Sequence, residues 1–478
     1  MLLALVLVPL AFAAVTFALP SDRWRPWMLP VGGATQLVMV VVALRSPHLE
    51  QRPWLEIDPL GRVVLAFLAV LFFLCSVYAP GYLASRSSRP NRVFCTSLLA
   101  FLGTMTLTVL SQHLGLMWVA IEACTLSSAP LLYFHRTPRS LEATWKYLLI
   151  GSVGIALALL GSFFLAYAAL HSGMKPSLFF PDLVQEAPLL SRPWLRAAFV
   201  VLFVGYGTKM GLAPMHTWKP DAYGEAPGLV GALLAGGLTS CAFLALMRFF
   251  QVCVAAGEGA FAREIMVTIG LVSMAVAGIF MARQRDYKRM LAYSSVEHMG
   301  ILVLGVGIGG WALFGALLHL VNNGLTKGVL FLAAGNIDRA YDSKSVEEVG
   351  GAIRHLPISG TLFLAGFFAI TGSPPFGPFF SEFTILRAAF ASGQYWTGGL
   401  FLLALFVIFM GMGATVLAVV QGEPSAKVAA TPKENKDRFL TVAPVIVFMS
   451  LVLLLGVYLP PPLESALRDA AAFLERTP

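Results

Sequence analysis

From residue 2 to residue 459 the chain is written as apolar runs long enough to cross a bilayer, separated by short polar punctuation. A hydrocarbon layer about 30 Å thick takes roughly 20 helical residues, and backbone in lipid must satisfy its own hydrogen bonds, so such runs fold as helices. Runs at 2–18, 27–45, 60–83, 93–111, 114–134, 145–170, 196–213, 227–250, 264–282, 290–310, 311–335, 357–388, 396–420 and 439–459 predict an all-α polytopic membrane protein with about fourteen transmembrane helices. The hydrophobic share of 58%, against 12% charged residues and a mean hydropathy of +0.77, excludes a soluble domain. The first run has neither a charged leader nor a small-residue cleavage site and is read as a retained helix.

Basic residues set the expected orientation. Counted by these bounds, the odd-numbered loops hold about 20 Lys and Arg and the even-numbered loops with the tail about 11. Odd loops are therefore expected in the cytoplasm and both termini outside. The net charge of +8 is a topology signal, and no basic patch with interleaved aromatics points to nucleic acid. Five cysteines, Cys75, Cys95, Cys124, Cys241 and Cys253, are scattered without the spacing of zinc or iron–sulfur sites. With no phosphate-binding loop, dinucleotide fingerprint or nucleophile elbow, no cofactor or metal is expected in this chain.

Two runs are interrupted. The seventh passes into GLAPMHTWKPDAYGEAP (211–227) and the twelfth into TGSPPFGPFFSEF (371–383). Proline removes a backbone donor and frees a carbonyl, which a membrane tolerates only where the break meets protein or water. Pro214 stands close after Lys209, and Pro374 and Pro375 close before Glu382. Broken helices at corresponding positions of two halves are the pattern of inverted repeats. The expected organisation is three leading helices (1–90), a five-helix repeat with broken helix 7 (91–252), a second with broken helix 12 (262–420), a polar cytoplasmic linker (421–438), and a final helix with its tail (439–478). Residues 174–195 are expected to hold an amphipathic surface helix.

Ionisable groups inside the runs carry the functional reading. A charge at the bilayer centre costs at least about 2.5–3.5 kcal/mol, so each must pair or face water. Glu122 in run five and Lys209 in run seven are suited to one another. His319, Asn323 and Lys327 fall at i, i+4 and i+8 on one helix face, a polar stripe that can hold a file of water. In YSSVEH (293–298), Glu297 and His298 either take up protons from the cytoplasm or touch headgroups. His216, with Asp221 and Glu225, either extends the path or caps freed backbone. Arg248, at the end of run eight, is expected to snorkel to the surface.

The segments AIEACTLSSAPLL, KMGLAPMHTWKPDAYGEAP, MLAYSSVEHMG, HLVNNGLTKGVLFLAAGNI and SPPFGPFFSEFTIL, in that order, resemble the antiporter-like proton-pumping subunits of complex I, multisubunit sodium/proton antiporters and group 4 hydrogenases. The details look closest to the large antiporter-like subunit of the hydrogenase-4 and formate hydrogenlyase type. The resemblance implies a gating pair at Glu122 and Lys209, a central lysine at Lys327, a terminal acid at Glu382 and a path histidine at His319. It also implies partner membrane and peripheral subunits carrying iron–sulfur clusters, with nickel–iron as an option, in a bacterial inner membrane. Where many relatives carry a lysine in helix eight this chain has Ser240, and Asn323 replaces a second histidine; the route from Lys209 to Lys327 is then left to water, Ser240, Thr239 or His319. Two other readings stay open: a sodium/proton antiporter subunit, and a scaffold for a redox arm that moves no ions.

Overall fold

The computed structural model describes residues 1–46, 54–86, 89–175, 177–282, 284–423 and 437–476. The helices are α1 (Leu2–Ala18), α2 (Met28–Arg45), α3 (Pro59–Ala84), α4 (Arg92–Leu110), α5 (Leu114–Leu132), α6 (Pro138–His171), α7 (Phe180–Gln185), α8 (Arg192–Met210), α9 (Trp218–Glu225), α10 (Gly228–Ala255), α11 (Gly259–Met281), α12 (Tyr287–Ile308), α13 (Trp311–Tyr341), α14 (Pro357–Ile370), α15 (Gly377–Ala391), α16 (Tyr395–Gln421), α17 (Phe439–Val457) and α18 (Pro461–Leu474). Among the described residues, backbone pairing outside helices is confined to isolated bridges such as Leu55 with Ser111. Eleven of these helices are long and apolar enough to cross a membrane. The other three expected crossings fall on α1, on α8, and on the broken pair α14 and α15.

The windows of α10, α12 and α13 are wholly buried in protein, whereas only a third of the α6 window is. A central sheath therefore surrounds the two later polar helices, and the apolar flanks of α6 and α16 face outward. Glycines set the closest approaches. A Cβ on Gly205 of α8 would lie 2.6 Å from the Ala158 nitrogen of α6, and one on Gly300 of α12 would lie 2.7 Å from the Gly270 carbonyl of α11. Small residues let helix backbones touch where lipid supplies no hydrophobic drive for association.

Both breaks begin alike. α8 stops at Met210 because Gly211 turns left-handed (φ +74), and α14 stops at Ile370 with Gly372 at φ +68, a region L side chains avoid. After the first break the chain turns through Pro214 into α9, and Trp218 Nε1 donates to the Thr208 carbonyl at 2.9 Å, folding α9 back onto the last turn of α8. After the second, Pro378 sits in the first turn of α15, where its missing N–H costs nothing. α10 carries a π-helical stretch over Leu234–Leu238, a widening in which Gly236 and Gly237 face neighbouring helices.

Odd loops gather at one end of the bundle. Arg86, Arg139, Glu225, Arg285 and Lys344, from five such loops, line one cavity of about 830 Å³. Even loops meet at the opposite end, where Glu56, Gln112, Gln185, Gln251 and tail residue Arg476 line a cavity of about 570 Å³. Glu56 has its carboxyl held above the ordinary range, first by burial and then by the charge of Asp58.

Two local expectations change. The region 174–195 yields only the six-residue α7 and a short 3-10 turn at Ala187–Leu189; Pro181 and Pro188 cut it short. The tail forms α18, whose Leu467, Ala470 and Leu474 are buried at helical spacing. Most of the expected linker 421–438 lies outside the described residues.

Candidate functional site

The first cluster forms where α5, α6 and α8 meet. Lys209, on the last turn of α8, is 1% exposed, and its Nζ lies 3.2 Å from Glu122 Oε2 of α5. The ammonium also donates to Thr125 Oγ1 at 2.5 Å, one turn along α5, while Ser152 of α6 donates to the other Glu122 oxygen at 3.1 Å. Gly151 makes the space, since a Cβ there would lie 2.8 Å from Lys209 Nζ. Glu122 itself is 21% exposed, on the outer side of the bundle. Carboxylate, hydroxyl and ammonium thus form a pair that offsets the desolvation of each charge.

The second cluster lies between α12, α13 and α15. Lys327 Nζ donates to Ser294 Oγ at 2.8 Å and to the Leu291 carbonyl at 3.2 Å, and no carboxylate oxygen comes within 4.0 Å of it among the described residues. Two turns back on α13, His319 shares a 2.9 Å hydrogen bond between its Nε2 and His298 Nδ1. Its other nitrogen meets Ser381 Oγ of α15, also at 2.9 Å. Glu382, the next residue, is buried with no hydrogen bond to Oε1, and Nε2 of His298, likewise without a hydrogen bond, has Glu297 Oε2 at 3.8 Å. Gly372 lies against this carboxylate, and a Cβ there would collide with it. Asn322 Nδ2 donates to the Gly377 carbonyl at 2.8 Å, tying the start of α15 to α13, while Asn323 is buried with a free Oδ1.

His298, His319 and Glu382 bring ligand atoms within 4.8 Å of one another. His298 Nδ1 and His319 Nε2 are spent on each other, His298 Nε2 and Glu382 Oε1 make no hydrogen bond, and Lys327 adds positive charge along the helix that carries His319.

Other residues sit differently from expectation. Glu297 and His298 are buried inside the bundle, so they touch no headgroup. Asp221 and Glu225 form ion pairs, with Lys146 at 2.8 Å and Lys344 at 2.6 Å, instead of capping backbone. His216 is buried beside the Tyr293 and Phe280 rings with Nδ1 free. Ser240 and Thr239 donate to carbonyls of their own helix, at Gly236 (2.5 Å) and Ala235 (2.6 Å). Arg248 does not snorkel: it is 1% exposed and bonds Asp58 at 2.7 Å and the Ser111 and Val109 carbonyls. A buried lysine was missed altogether. Lys219 of α9, counted by sequence with a cytoplasmic loop, is 0% exposed; only its place between the two prolines of a broken span hinted at burial.

Comparison with known proteins adds a further line of observation. Residues 111–417 match the family described as NADH:quinone oxidoreductase/Mrp antiporter, transmembrane. The hydrogenase-4 component F homolog of Methylacidiphilum infernorum is 35% identical over 418 residues, 85% of each chain. NADH-quinone oxidoreductase subunit N of Desulforudis audaxviator is 32% identical over 400 residues, 82% of this chain and 75% of that one. Among solved structures, a chain of the Mrp complex from Dietzia sp. superposes with a TM-score of 0.88 at 19% identity, covering 99% and 97% of the two chains. A chain of respiratory complex I from Thermus thermophilus gives 0.78 at 26% identity, covering 96% and 97%.

Proposed function

We propose, from the premise that this chain belongs to the NADH:quinone oxidoreductase/Mrp antiporter transmembrane family, that it carries protons along the bilayer midplane as an antiporter-like subunit of a larger redox complex. The chain is an antiporter-like membrane subunit of the complex I, hydrogenase-4 and Mrp type. The observation that carries the proton reading is the pairing of Lys209 with Glu122 at one helix break and the hydrogen-bonded file His298–His319–Ser381 beside Glu382 at the other.

In this mechanism Glu122 and Lys209 act as the gate. Drawing Glu122 away from Lys209 removes the counter-charge that holds the lysine proton, and the proton moves on toward Lys327. From Lys327 it passes by way of His319 to Glu382 and then out. The breaks are where water enters, because the helices stop at Gly211 and Gly372 and irregular backbone at membrane depth is tolerated only against protein or a wet cavity. Helices α4 to α10 and α11 to α16 act as two inverted repeats, each contributing one broken helix. Partner subunits hold the iron–sulfur clusters, and a nickel–iron centre if the complex is a hydrogenase; their redox steps move the gate. The complex sits in a bacterial inner membrane, with the 830 Å³ charged cavity as the cytoplasmic side of uptake and both termini outside.

The test uses the full chain in proteoliposomes loaded with potassium and trapped pyranine. Valinomycin makes the interior negative, and the wild type is expected to acidify it faster than protein-free vesicles, an effect lost in Lys209→Ala and Lys327→Ala. Equal rates in wild type and empty vesicles would overturn the proposal. Acidification that requires sodium would replace it with cation exchange.

A further inference from the structure

We infer that Lys219 is the proton carrier between Lys209 and Lys327, a place the polar residues of α10 do not fill. The inference rests on the proton reading above and goes beyond it by naming the intermediate group.

Three observations place it. Lys219 reaches back from α9, and its Nζ donates at 2.5 Å to the carbonyl of Met210, the residue that follows Lys209. On its other side the same nitrogen reaches the Ser295 carbonyl at 3.4 Å, and Ser295 adjoins Ser294, whose hydroxyl holds Lys327 at 2.8 Å. The amine therefore spans the gap between the end of α8 and the segment of α12 whose Ser294 holds the central lysine of α13. Secondly, nothing pins it as an ion: among the described residues no carboxylate oxygen lies within 4.0 Å, and its remaining neighbour is the Tyr223 ring, 5.7 Å away. Two carbonyls take two N–H bonds and leave the third position open to an N–H or a lone pair, which is what a group that both accepts and gives a proton needs. Thirdly, the hydroxyls of Ser240 and Thr239 are turned into their own helix.

Gly211 allows the arrangement. A side chain there would run into the Lys219 stem, and its Cβ would stand 3.0 Å from the Nζ itself. The same left-handed glycine that ends α8 thus opens the channel for the lysine that crosses the break. In the transfer, an N–H bond of the Lys209 ammonium breaks and its proton, relayed by hydrogen-bonded water, forms an N–H bond on the neutral Lys219 amine. A second such transfer passes a proton to the Lys327 amine, and Lys219 returns to its neutral form. No oxidant or reductant enters.

Lys219→Gln, Lys219→Arg and Lys219→His, each as the full chain in the potassium/valinomycin pyranine assay, separate a carrier from a structural brace. Gln and Arg keep donors for the two carbonyls, but neither exchanges a proton near neutral pH; both are expected to lose acidification by roughly 100-fold while giving the wild-type melting profile in detergent. His can titrate, and is expected to recover part of the flux with a pH optimum displaced from that of the wild type. Wild-type flux in either Gln or Arg would overturn the inference. Should Lys219→Gln run normally while Lys327→Ala does not, the carrier assignment alone falls. Wild-type vesicles no faster than empty ones would overturn both this and the proposed function.

Discussion

The two clusters solve the problem of a buried lysine in opposite ways. Lys209 has a carboxylate at 3.2 Å and sits at the outer side of the bundle, where Glu122 keeps 21% of its side chain exposed. Lys327 has no such partner among the described residues and is enclosed by protein, held by one serine hydroxyl and one helix carbonyl. A pair can be opened from outside by whatever touches its exposed member. An enclosed amine with neutral partners has no contact that can be drawn off from outside, and responds instead to charge that appears near it inside the bundle, where the low dielectric strengthens the interaction. The contrast teaches a division of labour, in which the first cluster is suited to sensing a neighbouring subunit and the second to handing a proton on.

The largest expected effect tests the second half of that contrast. Lys327→Met removes the titrating amine through which the proton reaches the histidine file, and proton flux is expected to fall by roughly 100-fold or more. Yet the same change replaces a buried amine that has no carboxylate oxygen within 4.0 Å among the described residues with an apolar chain of similar length, so the melting temperature in detergent is expected to hold or rise, by the equivalent of up to about 2 kcal/mol. A marked fall in melting temperature would show that Lys327 has a counter-charge after all. Glu122→Gln should move stability the other way. It leaves the Lys209 ammonium with Thr125 and at most a neutral amide oxygen but no counter-charge, at a cost expected to reach at most about 3 kcal/mol because Glu122 is partly exposed, and flux should drop with it. If both variants shift stability in the same direction, the two lysines are not held differently.

Space, as distinct from charge, gives a smaller and sharper test. In Gly151→Ala the new methyl would lie 2.8 Å from Lys209 Nζ, and the flexible end of the lysine must move off Thr125 and Glu122. A displacement of this size is expected to lower flux by about 10- to 100-fold with little loss of stability. Gly372→Ala presses the Glu382 carboxylate in the same way, but at φ +68 it also costs roughly 1–2 kcal/mol of backbone strain. Flux and melting temperature measured side by side should therefore separate for Gly151 and fall together for Gly372.

The sequence made some of this legible and hid the rest for identifiable reasons. Crossings were readable because an apolar run of membrane length has few other fates, and Glu122, Lys209, Lys327 and Glu382 because a charge inside such a run demands an account. Arg248 was misread because a basic residue near a helix end normally snorkels, and its partner Asp58 lies 190 positions away. Lys219 was hidden by the break: in a polar, proline-rich stretch a lysine counts as loop, and only the folding of α9 onto α8 carries it inside. α18 escaped because its apolar positions, spaced for one helix face, are too few for a crossing.

Ser240 supplies the smallest expected effect and the finest distinction. By sequence it occupies the point of helix eight where a polar group would relay a proton, and by geometry its hydroxyl is committed to the Gly236 carbonyl in the π-helical stretch of α10. A serine that bonds back to its own helix adds little to stability, so Ser240→Ala is expected to change the melting temperature by the equivalent of less than about 1 kcal/mol. It is also expected to leave acidification at the wild-type rate. If flux in Ser240→Ala instead falls as far as in Lys219→Gln, the hydroxyl must rotate away from Gly236 during transfer, and the path runs through α10 rather than around the break at Gly211.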